Sequence, residues 1–173
     1  FGQPANNDPC GAVTLTPNLS CTNTAGTLAS ATATPSVPAP GCATYVGGDV
    51  WYQVTVPASG QITVTTSQQG GGINTGMAFY TAPSCAGPFA LVSCNDDIIV
   101  IFNLYSTLVY NGAPGTVIYV RVWRKNSTAG GSFNICATAP PPPPVNDGPC
   151  TSTPLTVAAN CGFTSYTNVN ATT

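Results

Sequence analysis

Apolar and polar residues alternate along Val50-Trp51-Tyr52-Gln53-Val54-Thr55-Val56 and again along Gln61-Ile62-Thr63-Val64-Thr65, with the turn Pro57-Ala58-Ser59-Gly60 between them. That pattern predicts a β-hairpin. After a bend at Gly70-Gly71-Gly72, Gly76-Met77-Ala78-Phe79-Tyr80 begins a second predicted hairpin, which returns through Leu91-Val92-Ser93 and holds Cys85 in its loop. Ser106-Thr107-Leu108-Val109-Tyr110 leads to the turn Gly112-Ala113-Pro114-Gly115. The longest β-branched run, Val117-Ile118-Tyr119-Val120-Arg121-Val122-Trp123, follows, and Ser132-Phe133-Asn134-Ile135-Cys136 closes the series. No stretch carries the apolar stripe of a helix. Eight or so short strands at near-regular spacing predict an all-β protein: an antiparallel, jelly-roll-like β-sandwich followed by an extended C-terminal segment.

The beginning of the pattern returns near its end. Asn146-Asp147-Gly148-Pro149-Cys150, Cys161 and Ala171-Thr172 repeat Asn7-Asp8-Pro9-Cys10, Cys21 and Ala31-Thr32 at a shift of about 140 residues, with Gly148 read as an insertion and Asp147 as the equivalent of Asp8. The division that follows is an N-terminal extension (residues 1–6), a sandwich repeat (7–138), a polyproline linker (139–145) and a partial second repeat holding only first strands (146–173). The five prolines 140–144 predict a stiff, extended spacer.

Charge is scarce: three basic residues, five acidic residues and no histidine among 173. Neither nucleic acid nor an anionic membrane finds a basic patch here, and no apolar run is long enough to span a bilayer. Arg121, Arg124 and Lys125 are read as a solvated edge. The sequence offers no general base of the histidine type, no Ser-x-x-Lys context and no pair of carboxylates at glycosidase spacing, so no enzyme is expected.

Eight cysteines in such a chain predict disulfides and an oxidising, extracellular setting, because no CxxC pair of the zinc-finger type is present. The opening Phe1-Gly2-Gln3-Pro4 reads as the start of a mature, exported chain. Six cysteines allow fifteen pairings. Proximity along the presumed strands assigns Cys85 to Cys94, Cys10 to Cys136 and Cys21 to Cys42, and leaves Cys150 and Cys161 to pair together, stay free or bond to another chain.

Asn7, Asp8, Asp49, Asn95, Asp96 and Asp97 lie in turn motifs, and the spacing admits two readings. They form a calcium site if the loops converge, or they cap their own turns. Calcium is the one candidate cofactor. Tyr45, Trp51, Tyr52, Tyr119 and Trp123 could stack on sugars, although alternation sends several of them to the core.

Together Asn7-Asp8-Pro9-Cys10, Gly48-Asp49-Val50-Trp51-Tyr52, Val54-Thr55-Val56-Pro57-Ala58-Ser59-Gly60, Cys94-Asn95-Asp96-Asp97 and Tyr119-Val120-Arg121-Val122-Trp123 resemble the cysteine-bearing repeats of large secreted and surface proteins of Bacteroidota. Those repeats are similar in turn to the bacterial pre-peptidase C-terminal domain. The resemblance implies a non-catalytic, jelly-roll-like sandwich at the cell surface, strung in arrays and exported by the type IX route. It also implies calcium near Asp8 and Asp49, as in related collagen-binding modules. The segment Ile98-Ile99-Val100-Ile101-Phe102 departs from the resemblance by being wholly apolar, and reads either as a buried strand or as a patch that seeks a partner.

The expected function is an extracellular structural or adhesive repeat. It could be a fibre subunit that donates its C-terminal strand to a neighbouring copy, or a bead of a longer chain whose partners are further repeats. The alternative is a calcium-dependent module that binds carbohydrate or protein for a secreted hydrolase, with surface glycans or proteins as partners.

Overall fold

The computed structural model describes residues 2–97, 104–160 and 162–172. Nine strands, β1 (Val13–Leu15), β2 (Thr24–Thr27), β3 (Asp49–Thr55), β4 (Gln61–Gln68), β5 (Thr75–Thr81), β6 (Ala90–Asn95), β7 (Thr107–Asn111), β8 (Val117–Arg124) and β9 (Ser132–Thr138), form two facing sheets. The five-stranded sheet runs β1-β3-β8-β5-β6 and the four-stranded sheet β2-β9-β4-β7. Pairing is antiparallel except between β1 and β3, which are parallel. The only helical pieces among the described residues are two turns of 3-10 helix, Pro9–Gly11 and Pro149–Thr151.

The alternation seen in the sequence fills the space between the sheets. Val50, Tyr52 and Val54 of β3 meet Ile62 and Val64 of β4, Met77 and Phe79 of β5, Ile118, Val120 and Val122 of β8, and Phe133, Ile135 and Ala137 of β9. The second predicted hairpin is present, with Phe79 opposite Ser93 and Tyr80 opposite Leu91.

The first is not a hairpin. β3 and β4 lie in different sheets, so residues 56–60 are an arch that carries the chain across the sandwich. Residues 112–116 make the same crossing from β7 to β8. The two arches hold each other: Val56 N donates to Thr116 O (2.9 Å), Gly115 N to Val56 O (2.8 Å) and Gly112 N to Gly60 O (2.9 Å). A turn signal between alternating runs is common to arch and hairpin, and the choice falls to the sheet that buries each strand.

The five-stranded sheet is apolar on both faces. On its outer side Trp51, Ala78, Tyr80, Tyr119 and Trp123 form a second cluster with Val37 and Ala43, against which Cys42, Tyr45, Cys85, Phe89 and Cys94 pack. The loops between β2 and β3 and between β5 and β6 therefore make a third layer.

That layer explains two of the three disulfides, all of which differ from the pairing expected by proximity along the chain. Cys10 bonds to Cys85, Cys21 to Cys136 and Cys42 to Cys94, with Cα separations of 4.8, 5.4 and 6.1 Å. Cys94 sits opposite Ala78 and points to the outer face, where the loop before β3 brings Cys42. The loop carrying Cys85 folds over the aromatic cluster and reaches the turn at Pro9–Gly11, where Cys10 lies, instead of bridging its own hairpin.

Candidate functional site

The outer layer closes over a buried ion pair. Asp49 opens β3 and Arg121 lies on β8, on the same face as Trp51, Tyr119 and Trp123; both charged side chains are fully buried, at 0% and 1% exposure. Arg121 Nε and Nη2 donate to Asp49 Oδ2 at 2.7 and 2.5 Å. Further bonds run from Nη1 to Pro38 O (3.3 Å) and from Nη2 to Thr34 O (3.2 Å). The Thr34 hydroxyl donates to Asp49 Oδ1 at 2.7 Å and accepts from Trp51 Nε1 at 3.0 Å, while the Tyr45 hydroxyl donates to Asp49 Oδ2 at 2.5 Å. The guanidinium also lies 4.2 Å from the centre of the Tyr45 ring.

Burial alone would lower the Arg121 pKa, but the Asp49 charge beside it carries it above the ordinary value. Burial, reinforced by the bond to Asp49, pushes the Tyr45 phenol up to about 12. Arg121 is thus not part of a solvated edge. Asp49 is not free for calcium, because its oxygens already accept from a guanidinium and two hydroxyls.

The other proposed metal ligands lie apart. The Asn7 side chain accepts from Thr32 N (2.8 Å) and donates to Thr32 Oγ1 (2.8 Å), and Asn95 Oδ1 accepts from Thr107 N (3.0 Å). Asp8 is exposed. Asp96 and Asp97 both face Lys125, Asp97 at 3.6 Å, and the bond to Asp96 is the leading reason the Lys125 pKa is raised. Among the described residues no three His, Cys, Asp or Glu side chains gather where an ion could sit. The segment Ile98-Ile99-Val100-Ile101-Phe102 and Cys161 lie outside the described residues.

The aromatics proposed for sugar stacking are interior. Tyr52 lies between the sheets, Trp51, Tyr119 and Trp123 lie in the outer cluster, and Tyr45 packs edge-on against Trp123. A cleft of about 830 Å³ with a mixed polar and apolar lining opens elsewhere, at the end of β4, bounded by Gln68, Ile73, Asn74, Leu104, Tyr105 and Arg124 among others. Arg124 donates to Gly130 O at 3.0 Å. Among the described residues the buried Asn74 Oδ1 has no hydrogen-bond partner.

The C-terminal segment reproduces local turn bonds of the N-terminal one. Asn7 N donates to Pro4 O at 3.0 Å, and Asp147 N to Pro144 O at 3.1 Å; Gly11 N donates to Asp8 O at 2.9 Å, and Thr151 N to Gly148 O at 3.0 Å. Ala31 N to Leu28 O and Ala171 N to Asn168 O both measure 3.1 Å. Ser30 and Asn170 take left-handed φ values of 60° and 59°. Asp147 holds Thr172 as Asn7 holds Thr32, accepting from its backbone N at 2.8 Å.

These equivalences fix the alignment at a shift of 140 residues with no insertion. Asp147 therefore stands where Asn7 does, and Gly148 where Asp8 does, which corrects the earlier register. The strands are not reproduced. Residues 152–159 and 162–168 pair with no strand, and Leu155 is 84% exposed where its equivalent Leu15 is 3% exposed. Cys150, the equivalent of Cys10, is exposed and has no disulfide partner among the described residues.

A family model described as galactose-binding-domain-like and associated with type IX secretion matches residues 6–135. No curated protein matches the sequence at a significant level. Among solved structures, CorA, a surface-associated copper-binding protein of Methylomicrobium album BG8, is similar with a TM-score of 0.50 and 6% identity, over 75% of this chain and 98% of that one. The pre-peptidase C-terminal domain of a Bacillus anthracis collagenase gives a TM-score of 0.46 and 13% identity, over 73% of this chain and 94% of that one. The Yersinia pseudotuberculosis-derived mitogen gives 0.41 and 11%, over 69% and 85%.

Proposed function

The chain belongs to the family of galactose-binding-domain-like modules associated with type IX secretion, and from that membership we propose that it works outside the cell as a structural and adhesive repeat, without catalysis. Among the described residues no helix is long and apolar enough to cross a membrane.

The observation that carries this reading is the recurrence of the turn hydrogen bonds at Asn7, Gly11 and Ala31 in the bonds at Asp147, Thr151 and Ala171. In the complete sandwich the N-terminal segment supplies β1 beside β3 and β2 beside β9. A second copy without those neighbours leaves its backbone donors and acceptors to water, and its apolar residues Leu155, Val157 and Phe163 exposed. It supplies the first strands of another sandwich, and residues 139–143 space the two units. Repetition of this kind builds extended surface structures. The cleft beside Tyr105 and Arg124 is the surface such a bead offers to a ligand.

The alternative of a calcium-dependent binding module draws no support from Asp49, which is spent on Arg121, or from the buried aromatics.

The test is the mass of the protein as it occurs in its source, reduced and denatured. A polypeptide much larger than 17.5 kDa is expected, with sandwich repeats in tandem. A 17.5 kDa chain that forms ladders before reduction points instead to fibre subunits joined by strand donation, through Cys150 or Cys161. A 17.5 kDa chain that stays single under all conditions ends the repeat reading.

A further inference from the structure

The C-terminal segment carries the turns of a first-strand segment, but its side chains do not suit this sandwich. Gly26 of β2 is packed so closely that a Cβ there would meet the Tyr52 hydroxyl of the facing sheet and the ring of Phe133 on the neighbouring strand β9, the latter at 2.6 Å. At the shift of 140 residues the C-terminal segment has Tyr166 at this position. Leu28 fills the core between the sheets at 2% exposure. Its equivalent is Asn168, an amide for which that apolar site supplies no partner.

A second obstacle is covalent. Residues 4–32 are tied to their own body by Cys10–Cys85 and Cys21–Cys136. The edges of β3 and β9 are therefore closed to a visiting strand once the disulfides have formed.

We propose that residues 144–172 dock on a sandwich body unlike the one in this chain. That body has a small side chain, in place of the Tyr52 and Phe133 pair, facing Tyr166. It has a polar partner for the Asn168 amide, and free edges equivalent to β3 and β9. The proposal rests on the repeat reading and deepens it: successive units are not interchangeable, so identical copies of this chain do not polymerise by exchanging first strands. Specificity comes from repulsion at two positions as well as from attraction along the strands.

The experiment refolds the full chain from reduced denaturant at high concentration in a glutathione redox buffer, so that every cysteine bond is open to choice. It compares the unaltered chain with a Tyr166→Gly, Asn168→Leu variant that restores the residues of the N-terminal copy. Size-exclusion chromatography with light scattering reads the mass, and amide hydrogen exchange reads protection along residues 153–167. The unaltered chain is expected to stay monomeric with those amides unprotected. The variant is expected to form at least about tenfold more dimer, with the same amides protected.

Dimers of the unaltered chain with a protected C-terminal segment overturn the proposal, as does a variant no more dimeric than the unaltered chain. Neither result touches the native mass that tests the repeat reading, so the two can fail separately.

Discussion

Replacing Arg121 by methionine tests the buried ion pair most directly. The substitution keeps a long apolar stem on the outer face and removes the guanidinium, leaving the Asp49 carboxylate at 0% exposure with two hydroxyl donors, Thr34 and Tyr45. Two charge-assisted bonds to Asp49 are lost, and the carbonyls of Thr34 and Pro38 lose their guanidinium donor. Removing one partner of a buried pair costs about 3–5 kcal/mol. For a domain whose total stability is about 5–15 kcal/mol that is a large share.

Urea unfolding with the disulfides intact, followed by far-ultraviolet circular dichroism, measures the cost. The companion variant Asp49→Leu, Arg121→Met removes both charges from a face already lined by Trp51 and Trp123. It is expected to recover most of the loss, because an apolar pair carries no desolvation penalty. A single substitution costing less than about 1 kcal/mol would refute the reasoning. So would a double variant as unstable as the sum of its parts.

Other outcomes follow from the same geometry. Peptide mapping without reduction should recover Cys10–Cys85, Cys21–Cys136 and Cys42–Cys94 and no bond between Cys85 and Cys94. Gly76→Ala should destabilise the fold by about 1–3 kcal/mol or more in the same urea assay, since the new methyl meets the Trp123 ring and Ala43. Burial holds the Tyr45 and Tyr52 phenols neutral up to about 12. The unfolded chain loses these protons near 10 while the folded chain keeps them, so stability is full below about 10 and falls as pH rises toward 12. A phenolate absorbance titration in which all seven tyrosines ionise together near 10 without unfolding would contradict this. Deleting residues 146–173 should leave the melting temperature of the sandwich unchanged, since none of the described residues among them pairs with its strands.

Much of this was readable in the residues. Alternation located β3 and β4, a period of two being what a core-facing side requires, while the apolar and β-branched runs of β5 and β8 marked strands that are buried on both faces. The recurrence after Pro144 was visible, although only the matching bonds of Asn7 and Asp147 set its register. What failed depended on the third dimension. Nothing local distinguishes an arch from a hairpin; two of the cysteine bonds join segments that meet only after the outer layer has folded down, and the third, Cys21–Cys136, ties the segment before β2 to β9.

The ion pair had left a signal. Arg121 stands between Tyr119 and Trp123 on one apolar face, in a chain with three cations, and such a position demands a buried partner. Asp49, beside Trp51 in the strand that pairs with it, was the acid within reach.

The chain contains two tryptophans, and both Trp51 and Trp123 lie in the outer layer, with none between the sheets. Their fluorescence therefore reports on that layer alone. Loosening of the loops that Cys42 and Cys85 anchor would shift the emission to the red while the interior, with its tyrosine and phenylalanines, kept its near-ultraviolet dichroism. A native molecule thus carries its own probe of whether its covering has come away before its centre has melted.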